Sequence, residues 1–210
     1  MRFGRYGNPT DLARMVRRQE TPARAAWQRP DRVVRALGLR RGAIVADLGA
    51  GPGYFTRRLA RAVGPAGHVY AVEAEPEVIA VLRERLAAAG VRNVTPVLGS
   101  GDDPALPPGR SDLALMVNVY HHLDDRVAFL RRVARALAPR GRLAVVEWDA
   151  RETPMGPPPR RRVPREAMLR DARRAGLVPA AEHRFLPHQY FVVLRRAAGA
   201  RRRPRRSRAV

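Results

Sequence analysis

Val45-Ala46-Asp47-Leu48-Gly49-Ala50-Gly51-Pro52-Gly53-Tyr54-Phe55 is the stretch from which the fold is read. Ile44 to Leu48 has the apolar character of a buried strand and ends beside an acid. Three alternating glycines follow, and a helical pattern starts after Gly53. A strand that turns through glycines into a helix gathers backbone N–H groups and a helix N-terminus at one spot. Without β-carbons in the way, an anionic end of a ligand approaches that spot closely.

The spacing narrows the kind of loop. A dinucleotide fingerprint, G-x-G-x-x-G, requires glycine at position 54, which is Tyr54. The pattern is instead G-x-G-x-G with Asp47 two residues before it. With these residues the chain resembles the class I S-adenosylmethionine-dependent methyltransferases, and with the segments after its third and fourth strands, quoted below, their type 11-like, small-molecule branch. The resemblance implies that Asp47, Gly49, Gly51 and Gly53 hold the amino-acid end of S-adenosylmethionine, and that an acid closing the next strand binds the ribose. The strand His68-Val69-Tyr70-Ala71-Val72 ends in Glu73, twenty residues past Gly53. That interval matches the roughly 20 residues expected for a ribose-binding acid in a nucleoside-binding βαβ unit.

Around this core, strands and helices alternate. Asp31 to Leu37 is a helix opened by Pro30 and stopped at Gly38. Phe55, Leu59, Ala62 and Val63 recur at helical spacing after the loop. A helix from Pro76 carries Val78, Val81, Leu82, Arg85 and Leu86 on adjoining positions, with Arg85 the one charge in its inward stripe. Val94 to Leu98 is a third strand, Asp112 to Val119 a fourth, nearly continuous in apolar residues, and Arg142 to Trp148 a fifth. Either Asp124 or Asp125 caps a helix closed by Pro139-Arg140-Gly141. A helix over Pro164 to Ala175 precedes two strands, Val178 to Phe185 and His188 to Leu194. The fold class is therefore α/β, a single doubly wound Rossmann-like domain with a mostly parallel seven-stranded sheet, and the resemblance implies that the last two strands form an antiparallel hairpin.

The resemblance covers about residues 30–196. Residues 1–29 are an N-terminal segment with a short helix from Asp11 to Gln19. Tyr6 and Trp27 read there either as lid residues or, for Trp27, as an anchor on the domain. Residues 197–210 form an arginine-rich tail expected to be disordered.

The family pattern implies further site residues. Gly99-Ser100-Gly101-Asp102-Asp103-Pro104-Ala105-Leu106-Pro107 resembles a segment whose aspartate contacts the adenine amino group. Asp102 is the match and Asp103 the rival, with a turn cap as the alternative role for either. The run Asn118-Val119-Tyr120-His121-His122-Leu123-Asp124 follows the fourth strand at the carboxyl edge, where open α/β sheets bind ligands. Asn118 is assigned to the cofactor, Tyr120 and His121 to the acceptor side, and His122 to bracing the next helix near Asp124 or Asp125. Pro154 to Pro159, with Arg160 to Arg162, reads either as a wall of the acceptor site or as a plain connection.

Composition sets outer bounds. The chain has 210 residues, a net charge of +22, forty-one arginines with no lysine, and no cysteine. Without cysteine there are no disulfides, thiolate metal sites or thiolate nucleophiles, so methylation routes that need a sulfur on the enzyme are excluded. No metal is expected. The charge is open to two readings: arginine codon preference with solvated helix faces, as at Arg57, Arg58, Arg61, Arg131, Arg132 and Arg135, or a surface for nucleic acid. The N-terminus lacks the apolar stretch of a signal peptide, and a cytoplasmic location is expected. The expected activity is methyl transfer to a small-molecule acceptor. RNA or DNA methylation and non-catalytic cofactor binding are the alternatives.

Overall fold

A computed structural model describes residues 11–198. The arginine tail from residue 199 and Tyr6 lie outside the described residues. Seven strands form one sheet in the order β3-β2-β1-β4-β5-β7-β6. They are β1 (Ile44–Leu48), β2 (His68–Glu73), β3 (Val94–Leu98), β4 (Ser111–Val117), β5 (Leu137–Trp148), β6 (Leu177–His183) and β7 (Gln189–Arg196). The first five are parallel through β3-β2-β1-β4-β5, and β7 runs antiparallel to both β5 and β6.

The period-two alternation of the central strands divides the core between two layers. Leu113, Leu115 and Val117 of β4 join Val45, Val146 and Phe191 under α3 (Pro30–Ala36) and α4 (Thr56–Val63). Ala114 and Met116 face the other way. They join Leu48, Val145 and Val192 under α6 (Arg126–Ala136) and α7 (Arg165–Arg174). The remaining crossover helix, α5 (Pro76–Ala88), places Leu82 and Leu86 against Ala50 and Ala71. A sheet buried on both faces explains why its middle strands read as unbroken apolar runs.

Element boundaries shift by a few residues in several places, and three differences bear on the site. β4 stops at Val117 because Asn118 takes a left-handed conformation, φ +59°, which asparagine tolerates better than the branched residues around it. β5 begins at Leu137, directly after α6, with a register shift between Ser111 and Leu113 of its partner strand that absorbs Pro139 and Gly141. An additional helix, α2 (Pro22–Gln28), follows α1 (Leu12–Gln19) in the N-terminal segment. Its start is legible afterwards: Thr21 caps Arg24 N–H through its hydroxyl, with Pro22 at the first helical position.

The N-terminal helices are fastened to the domain by charges. Glu20, at the end of α1, pairs with Arg57 of α4 and Arg85 of α5. Arg85 thus owes its place in an apolar stripe to an ion pair, and Arg57 is not simply a solvated residue. Arg58 likewise donates to Asp31 and to the Tyr54 carbonyl. Among the described residues no helix is long and apolar enough to cross a membrane.

Candidate active site

The strand order reverses between β1 and β4, and the loops after these strands meet there at the carboxyl edge. Such a switch point is where open α/β sheets hold ligands. The approach is close: a β-carbon on Gly49, at φ +70°, would lie 2.2 Å from Val119 Cγ2. Gly51, at φ +54°, leaves room for the Gln19 amide, which a β-carbon would meet at 3.2 Å. Gly53 instead backs onto Leu82 of α5 and does not line the cavity.

A cavity of about 650 Å³ opens at this edge, within the range of small-molecule sites. Asp47, Gly49, Gly51, Glu73, Ser100 and Asn118 line one part of it. Glu73 closes β2, and its carboxylate accepts from the N–H groups of Gly51 at 2.9 Å, Ala74 at 2.7 Å and Glu75 at 3.3 Å. Burial raises its pKa against the pull of those N–H groups. Asp47 is 3% exposed and accepts from the Thr56 hydroxyl at 2.6 Å. Loss of water is the main reason its pKa is raised to about 6.

The other part of the cavity is walled by His121, His122, Trp27, Trp148, Met155, Pro157, Pro158 and Arg161. Trp27 and Trp148 pack ring to ring at 4.9 Å, so Trp27 both lines the site and anchors α2. The Pro154–Arg162 segment forms a wall. Arg162, nearly buried, holds it by donating to the carbonyls of Asp149, Arg151, Met155 and Pro157.

His121 lies on this wall, with Glu147 buried behind it. Because β4 and β5 are parallel neighbours with Val117 opposite Val146, the residues following each arrive side by side. The His121 ring, 6% exposed, places Nδ1 3.0 Å from Oε2 of Glu147, which is wholly buried. The other carboxylate oxygen accepts the Trp148 N–H at 2.7 Å. Acceptance by Glu147 assigns the proton to Nδ1 and leaves Nε2 as the basic nitrogen. His122 stacks against His121 with ring centroids 3.9 Å apart. Burial, the neighbouring His121 and Arg161 lower its pKa to about 3, so it adds no charge beside His121 near neutral pH.

Several assigned residues are placed differently. Tyr120 does not reach the cavity: it is fully buried, and its hydroxyl donates to Asp171 Oδ2 at 2.8 Å, tying the segment after β4 to α7. The short 3-10 turn Tyr120–His122 sends Tyr120 into the core and the two histidines to the cavity. His122 lines the cavity, and of the two candidate caps it is Asp125 that caps α6, through Ala128 N–H. Asp102 is exposed and outside the cavity lining, while Ser100 and Gly101 line it. The Ser100 hydroxyl accepts the N–H groups of Asp102 and Asp103, turning the loop there, and Asp103 caps Ala105. Asn118 lines the cavity while its side-chain oxygen accepts from Gln189.

Glu147 was not singled out in the sequence. The signal was present: an acid inside Leu143-Ala144-Val145-Val146-Glu147-Trp148, at the same edge as His121. Arg24 was missed because α2 was not anticipated.

The fold and this cavity define a class I methyltransferase architecture. Residues 45–141 match the family model described as a methyltransferase domain. A solved S-adenosylmethionine-dependent methyltransferase from Aquifex aeolicus superposes with a TM-score of 0.82 at 25% identity, covering 89% of this chain and 98% of that one. The protein-L-isoaspartate O-methyltransferase of Ignicoccus hospitalis is 46% identical over 78 residues, 36% of this chain and 37% of that protein. The ubiquinone/menaquinone biosynthesis C-methyltransferase UbiE of Pasteurella multocida is 34% identical over 113 residues, 53% of this chain and 42% of that protein. The matches thus span less than half of either curated relative. The fold is that of the class I S-adenosylmethionine-dependent methyltransferases, and the stretch that carries the glycine loop matches their methyltransferase domain.

Proposed function

We propose that this protein transfers a methyl group from S-adenosylmethionine to a small-molecule acceptor, with His121 as the proton acceptor. The observation that carries this reading is one continuous cavity with two chemically distinct parts. One part is lined by the glycine loop, Asp47 and Glu73, the other by His121, which Glu147 holds from behind, and by Trp27, Trp148, Pro157 and Pro158. The cofactor, when bound, supplies an electrophilic methyl group on a sulfonium.

The residues present fit that cofactor. Glu73 sits at the end of β2 with both oxygens facing N–H donors, leaving lone pairs to accept from the ribose hydroxyls. The loop at Gly49 and Gly51 has no side chains to fill the cradle. What the protein adds to the reaction is placement, exclusion of water and one base. Trp27, Trp148, Pro157 and Pro158 give the acceptor a dry, flat-sided wall. Glu147 fixes the His121 ring so that Nε2 takes the proton from a hydroxyl or amine as it is methylated. Calorimetric titration with S-adenosylhomocysteine and with NAD tests the reading: saturable binding of the first and none of the second is expected, and the opposite pattern overturns it.

A further inference from the structure

Arg24 of α2 lines the cofactor part of the cavity and lacks an anionic partner. Its guanidinium is half-buried over the Tyr54 ring, with Cζ 4.1 Å from the centroid. Nε donates to Gln28 Oε1 at 2.5 Å, and Nη1 donates to the Gln19 carbonyl at 3.2 Å and to Gln19 Oε1 at 3.1 Å. All these acceptors are neutral. Nη2 has no acceptor among the described residues, and no described carboxylate lies within ion-pair range of the guanidinium.

The guanidinium is nonetheless held in place. Gln28, fully buried, passes its own amide to Gln189 at 3.2 Å, and Gln189 donates to Asn118 at 2.5 Å. This chain of amides links Arg24 to the loop after β4. Close by in the same lining, the Tyr54 hydroxyl is buried without a hydrogen-bond partner. A fixed cation with two unspent N–H groups, an unspent hydroxyl donor and the buried acid Asp47 therefore line one cavity. Withdrawal from water disfavours the charged form of both ions, Arg24 and Asp47. A ligand end carrying one negative and one positive group satisfies both.

We propose that Arg24 is the anchor for the α-carboxylate of the cofactor's amino-acid end, with Asp47 facing its ammonium. This rests on the S-adenosylmethionine reading above. Cofactor binding then fastens α2 over the site through the same guanidinium that the amide chain orients.

The test is calorimetric binding of S-adenosylhomocysteine and of its α-carboxamide to the whole protein, wild type and Arg24→Gln. Wild type is expected to prefer the carboxylate ligand by at least tenfold, the scale of a charge-assisted bidentate contact. Arg24→Gln is expected to lose that preference to within about threefold while still binding the carboxamide, which reports an intact pocket. The wild-type comparison stands alone should the variant fold poorly. Equal affinity of wild type for both ligands, or an undiminished preference in Arg24→Gln, overturns the assignment while leaving the cofactor reading in place. Failure of wild type to bind either ligand overturns the cofactor reading and this assignment with it.

Discussion

Glu147 Oε2 lies 3.0 Å from Nδ1 of His121 and 3.4 Å from the His121 backbone N–H, so one buried carboxylate oxygen holds both the ring and the main chain of the same residue. This double hold fixes the ring of a histidine on a short 3-10 turn, as the proposed role of base requires. Glu147→Gln keeps the volume but replaces an obligate acceptor with a group that can also donate, which favours the wrong tautomer. Turnover is expected to fall by roughly 10- to 10³-fold and His121→Ala by roughly 10²-fold or more, with S-adenosylhomocysteine affinity unchanged in both. Steady-state kinetics with calorimetry checks the split, and a loss of cofactor affinity equal to the loss of rate would assign the pair to binding instead.

Tyr120→Phe separates packing from chemistry. The substitution removes the bond to Asp171 and leaves the buried ring in place. Stability is expected to drop by about 1–2 kcal/mol, the scale of a bond to a charged acceptor, with turnover nearly unchanged. Denaturant unfolding alongside kinetics measures both, and a large drop in turnover at unchanged stability would return Tyr120 to the acceptor site.

Asp47 gives the account a pH dependence with a defined sign. Burial raises its folded-state pKa to about 6, above the ordinary carboxylate range, so folding favours the protonated form. Its contribution to stability is therefore fully present below about pH 4 and is lost as pH rises through 6. Asp47→Asn keeps an acceptor for Thr56 and removes the charge. It is expected to stabilise the ligand-free protein at pH 7 by on the order of 1–3 kcal/mol, read as a higher melting temperature, while weakening cofactor binding. In wild type, S-adenosylhomocysteine affinity is expected to fall as pH drops below 6. Scanning fluorimetry and titration between pH 5 and 8 read both trends, and an affinity that rises on acidification would contradict the role given to this carboxylate.

Gly51→Val tests the cradle. Gly51 sits at φ +54°, which a β-branched residue adopts only with strain, and its N–H donates to Glu73. A side chain there also meets the Gln19 amide. Cofactor binding is expected to fall below detection while β1 and β2 remain folded by circular dichroism. Tight binding in this variant would place the ligand elsewhere.

Much of this architecture was legible because period and punctuation dominate a doubly wound sheet. β1 and β3 were read from apolar runs bounded by glycines, and β2 by its terminal acid, close to where they stand. The site was less legible wherever a side chain's direction depends on one backbone turn. In the 3-10 turn after Asn118, neighbouring residues point to opposite sides, so Tyr120 enters the core while His121 enters the cavity. Arg24 was hidden by a short helix whose apolar face is too small to show a period. Glu147 was hidden by the strand's apolar character, although a lone acid in such a strand calls for a partner.

The most direct measurement of the central claim is transfer of label from methyl-labelled S-adenosylmethionine to a fractionated cell extract, by wild type and by His121→Ala. The account predicts label in the small-molecule fraction with wild type, and at least 10²-fold less with the variant. Label confined to the nucleic-acid fraction, or no label in any fraction despite tight cofactor binding, would contradict it.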